Sequence, residues 1–176
     1  MILHFVRHGQ TDFNKKHLLQ GKQFDEPLNE EGLQQVRDIL PNLPHDFEVI
    51  YSSPLKRVLA SAEIIKARFD KPIIITDQIS ERDFGSLAGK TWDDIPNGRK
   101  MQEIDRELKY DYKPYGGESV QDVTDRLNKF LDNVKGSGHK VALVVSSIGI
   151  LRLVYKLLLN KDIVEINNAS VHTFEI

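Results

Sequence analysis

The sequence predicts an α/β fold, a three-layer sandwich with a mostly parallel central sheet and helices on both faces. Five apolar, β-branched runs, "ILHFV", "FEVIY", "PIIIT", "VALVV" and "SVHTFEI", read as strands, separated mostly by stretches of helical period. Alternation of this kind gathers parallel strands into one sheet and lays the crossovers over it. The length of 176 residues, 40% of them hydrophobic, suits one domain, residues 1–176, with an ordinary core.

The first strand runs apolar from Met1 to Val6 and then ends in Arg7, His8 and Gly9. A buried strand that emits a cation, an imidazole and a glycine has reached the sheet edge where ligands bind. Arg7 and His8 alternate across the pleat, and Gly9 permits a sharp turn. After the second strand, Ser53 and Pro54 form an N-cap and first-turn pair. Leu55, Val58, Leu59, Ala62, Ile65 and Phe69 then make a helical stripe. Ser119 caps a later helix, in which Val120, Val123, Leu127, Phe130, Leu131 and Val134 recur before Gly136 ends it. From about 85 to 117 the rhythm breaks, with Pro96, Pro114, Gly116 and Gly117 around a mixed helix near Arg99 to Tyr110. That segment is expected to be a lid-like insertion over one sheet edge. "KGSGHK" is a short turn into a strand, and no internal repeat occurs.

Composition excludes several classes of function. With 24 Lys and Arg against 26 Asp and Glu, the formal charge of -2 supplies no global field for nucleic acid or anionic lipid. Any anion site must therefore be built from local arginines. The absence of cysteine removes disulfides, thiolate metal sites and a cysteine nucleophile. No metal-binding spacing such as His-Glu-x-x-His occurs, so neither metal nor cofactor is expected. No run is long enough to span a bilayer, and no basic segment leads into an apolar signal region. A soluble, cytoplasmic protein with no membrane partner is expected. Oligomeric state is not legible, since no exposed apolar stripe announces a dimer.

The run "RHGQTDFNKKHLLQGKQFDEPLNEEG" resembles the N-terminal signature of the histidine phosphatase superfamily, which includes cofactor-dependent phosphoglycerate mutases and many small phosphatases. Arg7, His8, Gly9, Thr11, Asn14, Gln20, Gly21, Asp25, Leu28 and Gly32 keep the family's order and spacing. The resemblance continues through "SSPLKRVLASAE" with Arg57, "ERDFGSLAGK" with Glu81 and Gly85, and "GGESVQDVTDRLNKFL" with Glu118 and Arg126.

This resemblance implies a phosphomonoesterase acting on a small phosphorylated substrate. His8 would be the nucleophile, attacking as neutral imidazole to give a phosphohistidine. Arg7 and Arg57 would neutralise phosphoryl oxygens and depress the His8 pKa. Glu81 would protonate the leaving alkoxide, for which a raised pKa is expected; Asp83 is the rival acid, and pairing with Arg82 is the ordinary alternative. Thr11, Asn14, Gln20 and the Gly21 amide would bind phosphate or substrate hydroxyls.

One departure stands out. "VALVV" runs into "SSIGILR", where the family has Ser-His-Gly; Ser146, Gly149 and Arg152 keep register. Ser147 replaces the second catalytic histidine and Ile148 the small residue after it. A serine hydroxyl is a shorter, neutral donor to the phosphoryl group, so a weakened site that still binds phosphate is expected. His172 and His17 are the candidates for a replacement, though each reads more simply as structural or solvated. Two other readings stay open: an inactive pseudophosphatase that binds a phosphorylated ligand or protein, and a mutase-like phosphotransferase. "GSLAGKT" resembles a nucleotide-binding loop but has only three residues between its glycines, and no clear strand precedes it.

Overall fold

The computed structural model describes the whole chain, Met1–Ile176. Five strands make one sheet: β1 (Ile2–Arg7), β2 (Val49–Ser52), β3 (Ile73–Ile75), β4 (Val141–Ser146) and β5 (Val171–Glu175). Their order is β3-β2-β4-β1-β5. The first four are parallel, and β5 pairs antiparallel with β1 at the edge. All five apolar runs of the sequence are thus strands of the expected, mostly parallel sheet.

Six α-helices surround it: α1 (Asp12–Lys15), α2 (Glu30–Ile39), α3 (Lys56–Phe69), α4 (Gly98–Arg106), α5 (Val120–Lys135) and α6 (Ile148–Leu159). The pleat distributes β1 and β4 side chains to two cores. Leu3, Phe5, Ala142 and Val144 pack with Leu127 and Phe130 of α5 and with Leu151 and Val154 of α6. Val6, Leu143 and Val145 pack instead with Val36 of α2 and with Val58, Ala62 and Ile65 of α3. Each such large side chain stabilises the fold by about 1.5–3 kcal/mol through burial, which accounts for the three layers.

Ser119 caps α5 as expected, in a reciprocal box: its hydroxyl accepts from the Asp122 amide at 3.3 Å, and the Asp122 carboxylate accepts from the Ser119 amide at 2.9 Å. Ser53 does not cap α3. That helix begins at Lys56 with Leu55 as its N-cap residue, and the Lys56 amide donates to Asp25 Oδ1 at 2.6 Å. The cap comes from a distant loop because Ser53 lies two positions before the N-cap, with its Oγ buried and unpaired.

The segment from 85 to 117 carries short 3-10 turns at Gly85–Leu87, Trp92–Asp94 and Lys113–Tyr115, together with α4. Aromatic rings hold it down: Tyr110 stacks on Tyr112 at 5.1 Å between centroids, and Tyr112 meets Phe84 at 5.0 Å. No helix is long and apolar enough to cross a membrane.

The helix after β1 lies on one face and the helix after β4 on the other, although β1 and β4 are neighbours. The chain therefore parts between them and opens a crevice at their carboxyl ends, where open α/β sheets bind ligands.

Candidate active site

A cavity of about 120 Å³ occupies that crevice. Of the residues expected at a phosphate site, Arg7, His8, Asn14, Gln20, Gly21, Arg57 and Glu81 line it. Two do not. Thr11 is buried beneath the site, where its hydroxyl caps α1 and donates to Gln20 Oε1 at 3.1 Å. Ser147 is fully buried at the N-cap of α6, with its Oγ unpaired, and is not part of the lining. Leu18, Leu19, Arg82, Phe84 and Ile148 line the cavity without having been singled out for it.

The His8 ring is 3% exposed, and its Nδ1 lies 2.7 Å from the Gly9 carbonyl oxygen. A carbonyl only accepts, so Nδ1 carries the proton and Nε2 keeps its lone pair. Burial first, then the charges of Arg57 and Arg7, hold the His8 pKa well below the usual histidine value; the Gly9 contact opposes them weakly. The ring is therefore a neutral imidazole at neutral pH, with the Nε2 lone pair free. Gly9 is required by close approach: a Cβ there would stand 2.3 Å from the Gly32 carbonyl oxygen at the start of α2.

Neither flanking arginine is paired with a carboxylate. Arg57, 1% exposed on the first turn of α3, donates to the Gly21 and Phe24 carbonyls at 2.8 and 3.3 Å. Arg7 donates to the Ile166 carbonyl, and burial brings its pKa down to about 10, which leaves it charged at pH 7. Carbonyls orient a guanidinium without neutralising it. The Nε atoms of both arginines, and Gln20 Nε2, are buried without a partner. Buried donors of this kind mark a place built for an acceptor-rich ligand.

Glu81 lies in the cavity and its rival Asp83 does not. Asp83 is engaged elsewhere, accepting from the Gly85 amide at 2.7 Å. The charge state of Glu81 differs from the sequence-based expectation. Burial raises its pKa, but Arg82, the Arg82 and Gly149 amides, and Arg57 together lower it below the usual value. The carboxylate accepts from Arg82 Nη1 at 3.0 Å and from the Gly149 amide at 3.1 Å, so without ligand it is ionised. A Cβ on its neighbour Gly149 would lie 2.1 Å from both Glu81 Oε1 and Arg82 Nη1, so a side chain there would displace the ends of that pair.

Behind Glu81 stands a buried network that sequence reasoning missed. Asp105 accepts from Arg82 Nε and Nη2 at 3.1 and 2.9 Å, from Arg152 Nη1 at 3.1 Å, and from the Tyr112 hydroxyl at 2.7 Å. Arg82 also lies over the Phe84 ring, 4.7 Å from its centroid. Arg7, Arg57, Arg82 and Arg152 face Glu81 and Asp105, all of them in or beside the site, so a surplus of two positive charges remains. A phosphate monoester dianion matches it.

The other histidines do not reach the cavity. His172 is held between the Tyr155 and Ser170 hydroxyls, each at 2.7 Å, and His4 lies 2.9 Å from Thr173 Oγ1 across the sheet. No three His, Asp or Glu side chains gather as a metal-holding group. Asn168 was not anticipated: its amide donates to the His8 carbonyl at 3.0 Å and to Asn14 Oδ1 at 3.3 Å, tying the last loop to the site.

Fold and pocket together define an α/β protein with an anion site around a neutral histidine. The chain belongs to the histidine phosphatase superfamily (branch 1), whose pattern it matches over residues 3–176. It is 31% identical over 182 residues to a phosphoglycerate mutase-like protein 4 of Arabidopsis thaliana, an alignment covering 97% of this chain and 77% of that one. It is 34% identical over 164 residues to a metal-independent phosphoserine phosphatase of the same plant, covering 85% and 65%. Among solved structures, a mycobacterial glucosyl-3-phosphoglycerate phosphatase in complex with VO3 superposes with a TM-score of 0.82 at 26% identity, covering 98% of this chain and 91% of that one.

Proposed function

We propose that this chain is a phosphomonoester hydrolase for a small phosphorylated metabolite, working through a phosphohistidine at His8. One observation carries the reading: a buried, neutral imidazole lies between two buried arginines that no carboxylate neutralises. His8 Nε2 attacks phosphorus, Arg7 and Arg57 hold the phosphoryl oxygens, and the P–O bond to the alcohol breaks. Glu81 gives its proton to the departing alkoxide; as carboxylate it then takes a proton from the water that cleaves the phosphohistidine, and orthophosphate leaves.

Glu81 acquires that first proton through the substrate. A phosphate dianion between Arg7 and Arg57 offsets the pull of Arg57 on Glu81 and adds a negative charge beside it, both of which raise its pKa. The scheme uses neither metal nor organic cofactor, and a cytoplasmic location belongs to the same reading.

A binding module without turnover is the second reading, favoured by the position of Ser147, buried off the lining where the family has its second histidine. Steady-state hydrolysis of an aryl phosphate separates the two. The hydrolase reading expects turnover that His8→Ala lowers by at least about 10³-fold. No turnover, with inorganic phosphate still binding, selects the module.

A further inference from the structure

A second hollow, of about 440 Å³, opens off the phosphate cavity and shares Arg7, Asn14, Leu18 and Ile148 with it. Trp92 from the 85–117 segment and Glu165 from the loop after α6 complete its walls. Its place beside the phosphate cavity makes it the compartment for the leaving alcohol, an assignment that rests on the hydrolase reading.

Its chemistry is specific. Besides Arg7, the ionisable side chains on its walls are His17 and Glu165; no lysine and no second arginine lines it. Arg7 is already committed, bonded to the Ile166 carbonyl and placed at the inner cavity. A second phosphate or carboxylate on the leaving group would find no guanidinium or ammonium to receive it and would share the hollow with the Glu165 carboxylate. Opposed like charges of this kind discriminate against a ligand. Leu18, Trp92, Ile148 and Val164 offer apolar and aromatic surface, with Gln102 and Asn167 as neutral hydrogen-bonding groups.

The geometry points to a substrate whose leaving alcohol carries no second anionic group and presents an apolar or aromatic face to Trp92, with Glu165 as the residue that rejects anions. Phosphorylated sugar acids and bisphosphates fall outside that class.

The test uses a matched pair, 4-carbamoylphenyl phosphate and 4-carboxyphenyl phosphate, which differ chiefly by one negative charge. The chain is expected to prefer the amide in kcat/KM by at least about tenfold, and Glu165→Lys to shrink or invert that ratio. Trp92 is the single tryptophan of the chain, so its fluorescence reads the affinity of both esters for the His8→Ala variant without turnover. Equal kcat/KM and equal affinity for the two esters, or a ratio untouched by Glu165→Lys, would overturn the proposal. If neither ester is hydrolysed but the amide still binds about tenfold tighter, the hydrolase reading falls and the ligand class stands.

Discussion

Asp105 shows what single residues carry in this molecule. Its carboxylate is 4% exposed and faces the guanidiniums of Arg82 and Arg152. Removing one partner of a buried ionic group leaves uncompensated charge, at a cost of about 3–5 kcal/mol. Asp105→Asn is therefore expected to lower stability by that amount in urea unfolding, and to lower kcat further because Arg82 no longer holds Glu81; an unchanged midpoint would remove the network from the account. The Glu81–Arg82 pairing was legible from their adjacency in the sequence, and the structure shows it at 3.0 Å; the role of Asp105 was not legible. Arg82, Asp105 and Arg152 come from three separate segments, and no local spacing announces that they meet. For Glu81 the position was legible from its register with Phe84 and Gly85, while its charge state was not, since that depends on Arg82 and on the Gly149 amide across the crevice.

At the scale of elements, the start of α6 decides how much activity the scaffold retains. In the proposed reading a second phosphoryl donor would stand at position 147; the serine there is buried away from the lining while Ile148 faces the cavity. Losing one preorganised donor costs on the order of 10²–10³ in rate. Ser147→His should raise kcat for aryl phosphates by a comparable factor. A variant no faster than the parent, measured under saturation, would mean that the loss is already made good by another group. The strands and α5 were readable because their signals are local: β-branched runs, a 3.6-residue stripe and the Ser119 to Asp122 box. The start of α3 was misread because its cap, Asp25, arrives from a loop thirty-one positions earlier.

Over the whole molecule, three histidines, His4, His8 and His172, have pKa values lowered by burial. Each binds its proton less readily in the folded chain than in the unfolded one, whose histidines titrate near 6.5. Stability from these groups is complete above about pH 6.5 and is lost as pH falls below it, because the unfolded state then takes up protons that the folded state refuses. Between pH 7.5 and 5, His8→Gln should lose less thermal stability than the parent, read as the difference in the two drops in Tm. Equal drops would contradict the burial of a neutral imidazole. The topology that creates the crevice was legible as an α/β class, because alternating strands and helices leave few alternatives. The strand order that puts β4 beside β1 was not, since nothing in "VALVV" names its neighbours.

The proposed hydrolysis turns on a bond from His8 to phosphorus. The direct measurement is rapid quenching of the chain with an aryl phosphate into alkali, where phosphohistidine survives, followed by mass spectrometry of the peptide that contains His8. A phosphoryl group is expected on His8, appearing with substrate and absent in His8→Ala. Hydrolysis that proceeds with no phosphoryl group on His8, and persists in His8→Ala, would contradict it.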